Sequence, residues 1–174
     1  MGRKASNSFP GQAAKDSSQL AEFYVRYWPA AVKLGYLLTG DKDMAEDLAQ
    51  EAFVRVAGRF GHLRHVVAFD AYLRRTLVNL HVSGIRRLRL ERAYMAKERA
   101  GLRAGAPNET DVPEELWQAL QELPKRQRAA IVLRYYEDLS EQAVADTLRC
   151  SVAAVKSLVA RGMATLRLSM EEPQ

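Results

Sequence analysis

The chain has 174 residues, with 26 Lys and Arg against 21 Asp and Glu and a formal net charge of +5. That length holds one domain or two small ones, and the basic balance fits a nucleic-acid partner. A single cysteine, Cys150, excludes an internal disulfide and a cysteine zinc cluster and points to an intracellular, cytoplasmic protein.

No run approaches the ~20 apolar residues of a membrane helix, so no membrane association is expected. Arg3 and Lys4 are not followed by the apolar run of a secretory signal. Residues 1–17 are rich in Ser, Ala, Gly and Lys and read as a disordered tail. From Leu20 to about Leu90 the apolar pattern is helical, with breaks at Gly40-Asp41 and Gly61-His62. Pro29 should bend or restart the first helix.

Asp43 to Phe60 reads as one helix, with Asp43 and Glu46 at the spacing of a capping pair. Ala45, Leu48, Ala49, Ala52, Val56 and Phe60 form its apolar stripe. The other face carries Asp43, Glu46, Asp47, Gln50 and Glu51, with Val54 among them. An acidic face in a basic protein suits docking to a basic partner surface. A merely solvated acidic face fits the same residues.

Tyr72 to Arg103 is dense in arginine, including Arg74, Arg75, Arg86 and Arg87. Such a segment neutralises phosphates, and its binding should weaken with salt. Phe69, Tyr72, Asn79 and His81 lie within or beside it. Aromatic faces stack on unpaired bases, and an Asn hydrogen-bonds a base edge. Phe69 reads better as a core residue, and Asn79 equally suits an internal hydrogen bond.

Residues 100–113 have the Gly, Pro and polar content of a linker. A second helical block follows from Glu114 to about Met170, broken at Leu123-Pro124, Asp138-Leu139-Ser140 and Arg149-Cys150-Ser151. Its end reads as a helix-turn-helix. Ser140 caps a helix to about Leu148, and a second helix runs from Val152 to Leu168. Val152, Val155, Val159 and Leu166 should pack inward, leaving a slim outer face of Ala153, Ala154, Lys156, Ser157, Ala160 and Arg161. Small residues let such a helix enter a major groove, where Lys and Arg reach phosphate or guanine. An ordinary helical hairpin has the same pattern.

In their order, these segments resemble the sigma-70 family, in particular the extracytoplasmic-function (ECF) class of sigma factors. The run Asp43 to Phe53 is similar to the family's polymerase-docking helix. Residues Ala68 to Asn79, continuing to Ile85-Arg86-Arg87, are similar to its −10 segment. Leu123 to Ser140, followed by Val155-Lys156-Ser157, resembles its region 4. The resemblance covers roughly residues 18 to 170. It implies an all-α fold of two small helical domains, region 2 over 18–99 and a region 4 helix-turn-helix over 114–170, joined by the flexible linker 100–113.

The resemblance also implies roles. The chain would direct core RNA polymerase to promoter DNA and assist −10 melting, without being an enzyme and without a cofactor or metal. Asp43, Asp47, Gln50, Glu51 and Val54 would dock on the clamp helices of the largest polymerase subunit. Leu63, Arg64 and His65 of the following loop, with Asn79, would capture a flipped −10 base. Tyr72 takes a usual aromatic position, and Arg74, Arg75, Arg86 and Arg87 would hold phosphates. Arg149, Ser151, Ala153, Lys156, Ser157, Ala160 and Arg161 would face the −35 element. Apolar residues of the stretch Leu116 to Tyr135 would meet the second-largest subunit's flap. The family is commonly held by an anti-sigma factor, a monomer is the default, and the flexible linker suggests weak promoter binding until polymerase repositions the domains.

The chain departs from the family pattern at Arg149, where Gly is usual, at Ala153-Ala154 in place of Gly-Thr, and at Leu158 and Met163, where basic residues are frequent. Weak or atypical −35 reading is expected. A stand-alone duplex-binding regulator is the main rival, but it leaves the acidic helix unexplained. An enzyme is not supported, since His62 and His65 lack a third ligand at metal spacing. A purely structural adaptor leaves the motif order to coincidence.

Overall fold

The computed structural model of the chain describes residues 10–59, 66–83 and 112–171. Among them, all regular structure is helical. The N-terminal block comprises α1 (Pro10–Thr39), α2 (Lys42–Ala57) and α3 (Val66–Val82). The C-terminal block comprises α4 (Glu114–Glu122), α5 (Lys125–Ile131), α6 (Glu141–Leu148) and α7 (Val152–Glu171). A π turn at Val132–Tyr136 extends α5.

Helix α1 starts earlier than the sequence reading and does not restart at Pro29. It starts at Pro10, inside the stretch expected to be disordered, and it continues through Pro29. Proline suits a helix's first turn, where an N–H has no partner anyway. An interior proline removes one backbone hydrogen bond and costs ~3 kcal/mol. Phe23, Ala31 and Leu34 are buried on either side of it, so tertiary packing holds the helix across the gap.

The break at Gly40 is real, with φ at +74°, a value that glycine adopts without strain. Helix α2 is capped by Asp41 and not by Asp43: the Asp41 Oδ1 accepts from the Met44 N–H at 2.8 Å. Asp43 instead lies in the first turn, where a negative charge meets the positive end of the helix. The apolar stripe of α2 packs as expected, with Ala45, Leu48, Ala49, Ala52 and Val56 buried and Phe53 joining them. Phe60 lies outside the described residues. Gly35 lets α1 approach α2, because a Cβ there would sit 3.0 Å from the Ala45 carbonyl oxygen. Phe69 of α3 is fully buried, its ring 4.7 Å from Phe23 and 6.1 Å from Phe53. It is a core residue, as the sequence suggested.

In the C-terminal block, the Ser140 hydroxyl accepts from Ala143 N–H at 3.2 Å and starts α6. Arg149 ends α6 in the left-handed conformation, φ 52°. The position that usually carries glycine therefore keeps the glycine-like backbone and bears the strain of a side chain. Val155 and Leu166 of α7 are buried, and Val152 and Val159 are half-buried.

The two blocks lie against each other. One apolar cluster runs from Phe23, Leu37, Val56 and Leu77 into Leu133, Val144, Leu148 and Val155. Helices α5 and α6 pack on α3, and α4 packs on α1. At that second contact the rings of Tyr36 and Trp117 stack at 5.6 Å. Arg128 is buried at the junction. Its Nη1 donates to Leu38 O at 2.7 Å and to Gln121 Oε1 at 2.6 Å, and its Nη2 donates to Gln121 O and Leu123 O. Of the expected linker, residues 100–111 lie outside the described residues.

His81 is also buried there, and its Nε2 has no hydrogen-bond partner. Burial, with the charges of Lys125 and Arg128, lowers its pKa from 6.5 to about 3. Folded His81 is therefore neutral, whereas in the unfolded chain it takes up a proton as pH falls through about 6.5. The unfolded state binds more protons in that window, so stability is full above it and falls by up to ~1.4 kcal/mol per pH unit below it. Urea unfolding should show the parent losing about 1–2 kcal/mol more than His81→Leu between about pH 7 and pH 5. Equal losses would contradict a buried neutral imidazole.

Candidate nucleic-acid interface

The first expected surface lies on the outer side of α2. On α2, Asp47, Gln50 and Val54 are exposed, and Asp43 and Glu51 are half-buried. The buried stripe on the opposite side forces this, because the helical period leaves those positions outward. Val54 is 65% exposed, unusual for an apolar side chain on a well-packed helix. Glu51 pairs with Arg55 at 3.0 Å one turn on. Beside Val54's helix, Tyr24 and Trp28 of α1 stack at 5.0 Å, and Tyr24 lies 4.9 Å from Phe53. The sequence reading missed this aromatic pair, although its four-residue spacing on α1 is a legible signal.

The second surface is only partly described. Leu63, Arg64, His65, Arg86 and Arg87 lie outside the described residues. On α3, Tyr72 and Asn79 are seven residues apart and share a helix face. Tyr72 is half-buried against the core, with the Arg59 guanidinium 5.7 Å from its ring centre. Asn79 is half-buried. Arg74 and Arg75 do not stand open to solvent. Arg74 Nε donates to Glu137 at 2.7 Å and its Nη2 to Asp70 at 2.7 Å. Burial alone would weaken the guanidinium's hold on its proton, but the two carboxylates outweigh that and raise its pKa. Arg75 donates to the backbone carbonyl of Asp146 on α6. Both arginines thus face the C-terminal block.

Glu137 carries no sequence signal for this role. It follows the π turn, whose extra residue is closed by Glu137 N–H donating to Val132 O at 3.0 Å. Such a turn re-aims whatever follows it.

The third surface is the outer face of α7. Ala153, Lys156, Ser157, Ala160 and Arg161 are exposed, as are Arg149 and Ser151 in the preceding turn, while Ala154 is half-buried. Ser151 starts the helix, its hydroxyl accepting from Ala154 N–H at 3.1 Å. The few donors already have partners: Lys156 Nζ is 3.5 Å from Glu141, and Arg161 bends back on Ser157 at 3.0 Å. Leu158 and Met163 are half-buried and pack against the apolar clusters, so they do not join the outer face.

Residues 23–91 match the family described as Sigma-70 region 2, and residues 114–166 match that described as Sigma-70, region 4. The RNA polymerase sigma-E factor of Streptomyces avermitilis is 32% identical over 154 residues, covering 86% of this chain and 84% of its own. The ECF RNA polymerase sigma factor SigW of Bacillus subtilis is 28% identical, covering 90% of this chain and 91% of its own. The chain belongs to the sigma-70 family as an ECF sigma factor. A solved structure of the sigma factor RpoE in complex with the anti-sigma factor NepR from Bartonella quintana shares its fold. That match has a TM-score of 0.66 at 22% identity, over 88% of this chain and 98% of that one.

The sigma factor's α7 offers few donors to duplex DNA. Lys156→Ala should therefore lower transcription modestly and flatten its salt dependence by about one phosphate contact. Asn79→Ala should cost more, on the order of the 1–3 kcal/mol that a base contact is worth, where Asn79 reads a base as expected. Promoter titrations with polymerase at several salt concentrations read both. Loss with Lys156→Ala as complete as with Asn79→Ala would contradict weak upstream reading.

Proposed function

We propose that this sigma factor divides its work among the three surfaces: docking on α2, −10 capture on α3 and the loop before it, and upstream contact on α7. The observation that carries the reading is the outer face of α2. Asp47, Gln50 and Val54 are exposed on a helix whose opposite side packs into the core, with Val54 65% exposed. Carboxylates around one apolar contact suit a basic, partly apolar helical partner, which fits the clamp helices of the largest polymerase subunit. In the stretch Leu116 to Tyr135 the hydrophobic residues are buried or half-buried except Tyr135, so a contact to the flap of the second-largest subunit through them requires this packing to open.

On α3, Asn79 suits contact with a base drawn out of the stack; Leu63, Arg64 and His65, assigned to the same capture, lie outside the described residues. Unstacking costs ~1.4 kcal/mol per base-pair step, so several contacts must offset it. Arginine contacts to phosphate supply affinity independent of sequence. The work is recognition and strand separation, with no bond made or broken by the protein. Domain limits near 18–99 and 114–170, a cytoplasmic location, and control by an anti-sigma factor such as the partner of the Bartonella relative complete the reading. No helix among the described residues is long and apolar enough to cross a membrane.

Run-off transcription with core polymerase across genomic fragments tests the assignment. Promoter-specific transcripts should appear with the parent chain and fall at least about tenfold with Asp47→Ala. Duplex binding by the chain alone, with no polymerase-dependent transcript, would favour a stand-alone regulator.

A further inference from the structure

Arg74 and Arg75 of α3 both point their guanidinium groups at oxygen atoms of the C-terminal block. Arg74 meets the Glu137 carboxylate, with side chains only 18% and 17% exposed. Arg75 meets a backbone carbonyl at Asp146, where its Nε is left buried without a partner. The outer face of α7 is by contrast open to solvent. The packing between the blocks therefore occupies Arg74 and Arg75, whereas the partners of Lys156 and Arg161 lie within the C-terminal block and leave the face of α7 exposed.

We propose that Glu137 is a phosphate surrogate: in the free protein its carboxylate occupies Arg74 and, with the Asp146 carbonyl on Arg75, masks the single-strand surface selectively. The proposal rests on the reading of Arg74 and Arg75 as phosphate ligands. A carboxylate and a phosphate both accept paired hydrogen bonds from a guanidinium, so they compete for the same donors. Asp70, one turn before Arg74 on the same helix, stays with it in either state and half-neutralises it. It keeps the arginine oriented while Glu137 is exchanged for DNA. The partially buried setting makes the exchange discriminating, since either partner must replace nearly all of the lost water.

The mask is also coupled to the position of the blocks. Glu137 lies immediately after the π turn, and Leu139 N–H donates to Leu133 O at 3.1 Å within the same bend. The carboxylate therefore moves with α5 as a unit. Separating α5 and α6 from α3 removes both acceptors at once, and single-strand binding becomes possible in the same step. Conversely, single-stranded DNA that captures Arg74 disfavours the closed packing by the same factor.

The test uses the full chain without polymerase and a short mixed-sequence single-stranded oligonucleotide, because phosphate contacts carry no sequence. Fluorescence anisotropy should show Glu137→Gln, and independently Glu137→Ala, binding at least roughly fivefold tighter than the parent, the low end for coupled sites. Adding Arg74→Gln to Glu137→Gln should abolish the gain. Duplex binding should change far less. Unchanged single-strand affinity in both Glu137 variants, with native circular dichroism, would overturn the proposal. Transcription by Arg74→Gln with core polymerase then locates the fault. Loss of transcription there would leave the phosphate reading standing and reject masking alone, whereas full transcription would reject both.

Discussion

The buried guanidinium of Arg128 ties the structure together. Three of its four acceptors are backbone carbonyl oxygens, Leu38 O at the end of α1 and Gln121 O and Leu123 O at the end of α4, and the fourth is the Gln121 side-chain amide oxygen. Helix C-termini leave carbonyls without partners, and a cation among them satisfies both their hydrogen bonds and their partial negative charge. A charge taken out of water is costly, and burial lowers the pKa of this one. The arrangement is stable only while both helix ends stay in place. Arg128 thus makes the fold of the C-terminal block and its seating on the N-terminal block depend on one another.

Around that point the contacts are of mixed character. Apolar side chains from both blocks join in one cluster, but much of the periphery is polar: Arg74 with Glu137, Arg75 with a carbonyl, Gln121 Nε2 donating to Leu37 O at 3.3 Å. Interfaces between domains of one chain are commonly of this kind and separable. His81 adds an unsatisfied polar atom and Trp117 another. These features give a seam that holds the free protein closed without the depth of a single uninterrupted core.

Much of this was legible in the residues. The stripe of α2 from Ala45 to Val56, the Ser140 cap, the breaks at Gly40 and Arg149, and the outer face of α7 follow from periodicity and capping chemistry, which are local. Arg149 shows the limit of a residue rule, because the backbone there remains left-handed without glycine. Asp41 displaced Asp43 as the cap because a capping residue must lie just outside the helix, a matter of one turn that pattern alone does not settle. Pro29 does not restart the helix, because packing on both sides holds α1 through it. The seam was not legible at all. Glu137 and Arg74 are separated by 63 positions, and nothing in either neighbourhood announces the other. Composition marked Arg74 and Arg75 as cations; only the fold shows that carboxylate and carbonyl oxygens already stand where phosphate is expected.

With Arg128 and the Arg74–Glu137 pair holding the free chain closed, the proposed masking requires the two blocks to part before transcription. Distances between spin labels on exposed positions of α1 and α7 test this most directly, measured in the free chain and again with core polymerase and promoter DNA. The account predicts a single short distance in the free protein and a clearly longer one in the initiating complex. A broad spread of long distances in the free chain, or a short distance that persists while transcription proceeds, would contradict it.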